Sequence, residues 1–230
     1  MNSASDTMAI FPLNAVLLPS ALMPLRIFEP RYKQMLADCR DSGTSFGINL
    51  IRDGQEVGGD AVPHAIGTEA RIVQYRPQPD ETFLLLIAGA RRYRIERLEQ
   101  RAPYLRAAVT ILDDTTSPAD QPDADESRRL RRLGARLVEK LAETMEQQEE
   151  DLPQDIAHLC WFLAARLEMD LTELQALLES TSVRERVRRL SLLIEHGMPT
   201  LERQAALARE VRKVRRGNGD ARPLGGAALE

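Results

Sequence analysis

The chain has 230 residues, a net charge of −4 and 43% hydrophobic content, enough for one large domain or two modest ones. That balance argues against whole-surface binding to nucleic acid or lipid. MNSASDTMAIFPL has no basic leader, and no run approaches the roughly 18 apolar residues of a membrane span, so neither a signal peptide nor a span is expected. Two cysteines, Cys39 and Cys160, cannot make a disulfide framework, which points to a reducing, cytoplasmic setting.

Residues 10–32 read IFPLNAVLLPSALMPLRIFEPRY, an apolar run that never settles into one period. Proline cannot donate to a strand ladder, so Pro12, Pro19 and Pro24 cut the run into short strands at 9–13, 15–18 and 25–28. Short, sharply bent strands suit a small closed or half-closed barrel. Pro30 fits the first turn of a helix, predicted over 30–40 with Tyr32, Met35, Leu36 and Cys39 on one inward stripe. Strands follow at 45–52 and 66–75. Residues 82–88 (TFLLLIA) are too continuously apolar for an exposed edge and read as a central strand. Gly89-Ala90 reads as a turn into a strand at 91–98, and 104–112 is the last strand.

Residues 113–126, DDTTSPADQPDADE, are acidic and carry two prolines but no large apolar side chain. They predict a linker, placed at 116–126, between a β-rich unit at 1–115 and a helical bundle at 127–216. The fold class is therefore α+β. The bundle starts with an amphipathic helix at 127–150 and a nearly all-apolar one at 154–167. Capping boxes at Asp170…Glu173 and Ser182…Glu185 open helices at 171–179 and 183–196. Gly197 suits the position after a helix end, Pro199 opens a last helix to 216, and 217–230 reads as a flexible tail.

No phosphate loop, GxGxxG, HExxH, paired CxxC or GxSxG is present. His158 and Cys160 lie two apart on a predicted helix and point to opposite sides, so they cannot share a metal. Lys33, Lys140 and Lys213 fall on predicted exposed faces, leaving no serine–lysine pair. Asp113-Asp114 is the obvious carboxylate pair, but reads as solvated linker. No cofactor or metal is expected. ARRYRIERLEQR (90–101) places Arg92 and Arg94 on one strand face and Arg91, Tyr93 and Arg97 on the other. Such a ridge can hold phosphate or stack bases. Against that, residues 1–115 count 13 basic and 14 acidic side chains, so no net field supports RNA binding.

The run FPLNAVLLPSALMPLRIFEPRYKQML (11–36) resembles the opening of the Lon protease N-terminal domain. GTEARIVQY (67–75), IAGARRYRIERL (87–98) and APYLRAAVTILDD (102–114) resemble later segments of that family in the same order. LLESTSVRERVRRLSLLIE (177–195) still matches in style. The resemblance implies a PUA-like mixed β pseudo-barrel with one helix, followed by a helical bundle, and a role in substrate recognition upstream of ATPase and protease modules. Those modules have no counterpart in the motifs found, so a stand-alone module is expected. Ser20 stands where the family has glycine after Val-Leu-Leu-Pro; a β-carbon disfavours a left-handed turn there, and the loop is expected to differ.

The expectation is thus a non-enzymatic binding module for unfolded or tagged polypeptides, with a protease or chaperone as a further partner. RNA binding through the barrel and the 91–97 ridge is the alternative, and a peptidase label by association a third. Phe28, Pro30 and Tyr32 are read as fixing the strand-to-helix corner, and Glu29–Arg31 as a structural ion pair. The residues nominated for ligand contact are Glu29, Arg31, Tyr32, Arg92, Arg94 and Tyr104.

Overall fold

In a computed structural model, which describes residues 6–218 apart from 59–60, 146–147 and 149, the chain forms seven strands and five α-helices. Strand β1 (Asp6–Leu13) leads through a loop to β2 (Leu22–Ile27) and helix α1 (Pro30–Ser42). Then come β3 (Phe46–Asp53), β4 (Val62–Pro63), β5 (Ile66–Pro77), β6 (Phe83–Gln100) and β7 (Leu105–Ile111). β1 pairs antiparallel with β7 and parallel with β3, which closes the ring β1-β7-β6-β5-β3. Closure removes most free edges. β2 sits outside the ring on the first half of β6, registering Leu22 with Ala88 and Ile27 with Phe83.

Helix α1 forms as its sequence dictates. Pro30 occupies the first turn, Tyr32, Met35, Leu36 and Cys39 are buried, and Gly43 ends it in the left-handed region at φ 65°. These side chains share a core with Phe11, Leu17, Phe46, Ile48 and Ile87. The helices after the ring are α2 (Ala124–Met145), α3 (Ile156–Ala164), α4 (Leu171–Glu179) and α5 (Val183–Asn218). Their core gathers Leu130, Leu159, Leu163, Leu177, Leu190 and Ile194, together with Leu18 and Ile66 from the β-rich half.

Several expected elements differ. Residues 15–18 form no strand, because Leu17 and Leu18 serve different cores: Leu17 faces the barrel core and Leu18 the helical core. Two neighbours pointing into two cores leave no single period to read. Gly89-Ala90 is not a turn; β6 runs through it unbroken for 18 residues. The glycine is needed for close approach, since a β-carbon would stand 2.1 Å from the Leu18 carbonyl oxygen. That approach is fastened by Ser20 N–H donating to Gly89 O and Gly89 N–H to Ala21 O, both at 2.9 Å. Ser20 itself keeps the left-handed turn at φ 64°, contrary to expectation. Pro19 precedes it and Ala21 N–H closes the turn on Leu18 O at 3.1 Å, the hydrogen bond of a type II turn.

Helix α2 begins earlier than expected, at Ala124. Asp123 and Glu126 make a reciprocal capping box: Glu126 N–H donates to Asp123 Oδ1 at 2.8 Å and Asp123 N–H to Glu126 Oε2 at 2.9 Å. The helices expected at 183–196 and 199–216 are one helix of 36 residues with Pro199 inside it, so Gly197 is not a cap. Met198 and Ala205 are buried on either side of the proline, and packing carries the helix across it. Of the expected tail, 219–230 lies outside the described residues.

Candidate functional site

Among the described residues, only one edge of β2 is paired, with β6. The carbonyl of Ala21 accepts from Gly89, so by alternation Met23, Leu25 and Ile27 turn their backbone groups to β6, and Leu22, Pro24 and Arg26 turn theirs outward. The missing N–H of Pro24 therefore falls on the open edge, where it costs no ladder bond. Beside that edge lies a cleft of about 150 Å³, formed by Phe11, Leu13, Pro24–Glu29, Tyr32, Glu56 and Val57. Two of its apolar lining side chains, Phe28 and Val57, are each more than half exposed. At the strand-to-helix corner Phe28 is half exposed, whereas Tyr32 is buried and Pro30 opens the helix.

The start of α1 is tied by an ion pair and hydrogen bonds. Glu29 and Arg31 pair at 2.9 Å, both side chains largely buried, and Arg31 also donates to Glu56 O at 3.1 Å. Glu56 Oε2 accepts from Asn14 N–H at 3.0 Å, tying the loop that carries Val57 to the end of β1. The Arg31 guanidinium lies 4.5 Å over the Tyr32 ring, which packs at 4.0 Å on Phe11. Burial pushes the Tyr32 hydroxyl up to about 12, so it is a neutral donor at the cleft wall. The arrangement offers a cleft with apolar and polar walls and an open strand edge. It suits an extended segment with apolar side chains.

The other nominated residues are placed elsewhere. Tyr104 is buried and donates to Asp38 on α1 at 2.6 Å, clasping that helix to the start of β7. Arg94 is exposed on β6, whereas Arg92, assigned to the same ridge face, is 5% exposed and turned into the junction with the helices. There Arg92 donates to the carbonyls of Leu178 and Ser180, each at 2.7 Å, and to Asp114 at 2.5 Å. Fully buried Arg186 binds Asp114 through two further hydrogen bonds of 2.7 and 2.5 Å. Trp161 lies under both guanidiniums, 4.4 Å from Arg186 and 5.2 Å from Arg92. Burial lowers the Arg92 pKa to about 10, against the pull of Asp114. Asp114 is therefore not solvated linker but the anion shared by two arginines. Tyr93, on the other face, is buried and bonded to Asn49 over Gly47.

Glu29, Arg31 and Tyr32, expected from the sequence, come together at this cleft; the exposed Phe28 and Val57 beside them were not expected there. A valine alone among glycines in DGQEVGG was the available signal for Val57. Nor was a second depression across α1 expected, lined by Lys33, Leu36, Ala37, Arg40, Tyr75, Glu81 and Phe83 and holding about 280 Å³. Among the described residues no group of three or more metal-ligating side chains comes together, and no helix is long and apolar enough to cross a membrane.

A closed ring of strands with one helix packed on its core, followed by a helical bundle, is the architecture of Lon N-terminal domains. The crystal structure of a Lon N-terminal domain protein from Xanthomonas campestris superposes with a TM-score of 0.62 at 29% identity, covering 80% of this chain and 96% of that one. The N-terminal domain of a Mycobacterium avium complex Lon protease shares the fold at TM-score 0.59 and 13% identity, over 83% and 98% of the two chains. The chain belongs to the family described as the ATP-dependent protease La (LON) substrate-binding domain, whose pattern matches residues 7–196. Lon protease 2 of Myxococcus xanthus is 28% identical over 188 residues, which are 80% of this chain and 23% of that protein. Lon protease of Anaeromyxobacter dehalogenans is 24% identical over 80% of this chain and 22% of its own. The chain thus spans about a quarter of the length of these curated relatives.

Proposed function

We propose that the chain is a non-enzymatic recognition module that binds exposed apolar segments of unfolded or tagged polypeptides and passes them to a protease or chaperone. The observation that carries this reading is a cleft of mixed apolar and polar lining, walled in part by β2, a strand with one edge open. A segment laid along that edge can use the carbonyls of Leu22, Pro24 and Arg26 and the N–H groups of Leu22 and Arg26. About three apolar anchors at ~1.5–3 kcal/mol each and a few backbone bonds at ~1 kcal/mol each oppose an association cost of at least ~4 kcal/mol. The balance corresponds to dissociation constants between roughly millimolar and micromolar. That is weak capture, suited to repeated sampling and hand-over. RNA binding through the ridge is the weaker reading, because Arg92 is spent on Asp114 and only the remaining arginines face solvent.

The test is titration of unfolded polypeptides against the full chain at low and high salt. Saturable binding that changes little with salt, and weakens several-fold in Phe28→Ala and Val57→Ser, is the expected result. Both side chains are exposed, so neither change threatens the fold. No saturation at several hundred micromolar protein would remove the proposal. A steep salt dependence with a single-stranded RNA competitor would instead promote the nucleic-acid reading. ATP hydrolysis or degradation of an unfolded protein that tracks with the purified chain would overturn the non-enzymatic part.

A further inference from the structure

The second depression has a chemistry of its own. Lys33, Leu36, Ala37 and Arg40 follow one another at i, i+3, i+4 and i+7 and so form one stripe of α1. Leu36 is buried and supplies the floor; Ala37 is small and leaves room above it. The opposite wall is Tyr75 of β5 stacked on Phe83 of β6, with ring centroids 5.1 Å apart. Arg40 lies 4.8 Å over the Tyr75 ring and holds that wall in place. Lys33 is half-buried at the other end of the stripe, and among the described residues its ammonium has no carboxylate and no hydrogen-bond acceptor. Across the depression, Glu81 holds a left-handed backbone at φ 60° in the turn between β5 and β6, a conformation a non-glycine residue adopts at a cost.

We infer that this depression captures the C-terminal end of a polypeptide: the free carboxylate on Lys33, the last apolar side chain between Leu36, Ala37 and the Tyr75–Phe83 wall. This deepens the polypeptide-binding reading above and rests on it. An ammonium without a counter-ion among the described residues favours an anion, and the apolar floor next to it favours an anion attached to an apolar group. A volume of about 280 Å³ admits one large side chain with its carboxylate rather than a long segment. A nucleotide is the poorer fit. The Tyr75 ring already carries Arg40 and Phe83, so the faces on which a base would stack are taken.

The experiment compares two decapeptides of one sequence ending in leucine, one with a free carboxylate and one amidated, titrated against the full chain. The free acid is expected to bind about tenfold tighter or more, the scale of a charge-assisted contact. Lys33→Met should erase that difference and leave amide binding unchanged, and Lys33→Arg should restore most of it. Arg40→Ala should weaken both peptides, because it loosens the shared wall. Circular dichroism and the melting temperature of each variant report whether α1 is intact. Equal binding of acid and amide to the wild-type chain overturns the inference while leaving polypeptide recognition at the β2 edge standing. Binding of neither decapeptide, with unfolded proteins still bound, overturns it equally. Loss of both kinds of binding removes it together with the reading it rests on. Displacement of the free acid by a short oligonucleotide, undone by Lys33→Met, would reassign the depression to nucleic acid.

Discussion

Ser20 shows how one residue can hold a strained position because its neighbours leave no other. Its left-handed backbone is fixed by Pro19 before it, the Leu18–Ala21 turn around it and the hydrogen bonds to Gly89. The β-carbon costs about 1 kcal/mol there, which glycine would not incur. Ser20→Gly is therefore expected to raise stability by about that amount, read from the denaturation midpoint at unchanged slope; a loss of stability would mean the hydroxyl makes a contact that outweighs the strain. Asp114 is the opposite case. It is one carboxylate between two buried guanidiniums. Removing it strands both charges out of water, and Asp114→Ala should cost about 3–5 kcal/mol. Chemical denaturation measures it, and a loss below about 1 kcal/mol would show that the arginines find water or other partners.

At the scale of elements, the long helix α5 is shaped more by its partner than by its own residues. Pro199 removes a helical N–H and crowds the preceding turn, yet Met198 and Ala205 remain buried and Arg136 pairs with Glu202 at 2.5 Å. Pro199 is exposed, so Pro199→Ala gives up no core contact and should stabilise by about 1–3 kcal/mol. A lowered melting temperature would instead show that the proline-induced geometry is what lets both halves of α5 reach α2. The start of α2 depends on pH. Burial raises the Glu126 pKa, but the Asp123 N–H, Arg188 and Arg184 outweigh it and hold the carboxyl at about 2. The folded pKa lies below the ordinary value of 4.5, so this contribution is complete above pH 4.5 and is lost as pH falls towards 2. Glu126→Gln should lower stability by about 1–2 kcal/mol at neutral pH, allowing for solvent screening. Its deficit should shrink below pH 4; a deficit constant from pH 7 to 2 would assign it to packing.

For the whole molecule, we propose the division into a β-rich part at 1–115 and a helical part, expected from 127 but starting with α2 at Ala124, as a description of architecture, not of independent unfolding units. Leu18 and Ile66 sit in the helical core, Gln175 donates to the Ile66 carbonyl at 3.1 Å, and Thr115 N–H donates to Thr181 O at 3.0 Å. With the Asp114 cluster these contacts couple the two halves. Thermal unfolding followed by calorimetry and by tryptophan fluorescence should give one coincident transition, since Trp161 lies at the junction. Two separated transitions would show that the halves fold separately. Asp114→Ala is the variant most able to split them.

Some of this was legible in the amino-acid order because it depends on neighbours along the chain. The inward stripe of α1, its proline start, the caps at Asp170 and Ser182, and the change of pattern from strands to helices are all local, and the IFEPRY block tied them to a family. The box at Asp123…Glu126 was equally readable as Asp-x-x-Glu but lay in a segment taken for linker. What could not be read depends on partners far away in sequence. Gly89 looks like a turn until the Leu18 carbonyl is set against it. Arg92 looks like a surface ridge until Asp114 and Arg186 surround it, and Gly197-Met198-Pro199 looks like a helix end until α2 packs across it. Backbone propensity acts over a few residues and amounts to about 1 kcal/mol. Burial and charge pairing across the junction amount to several, so at these positions the distant partner prevails.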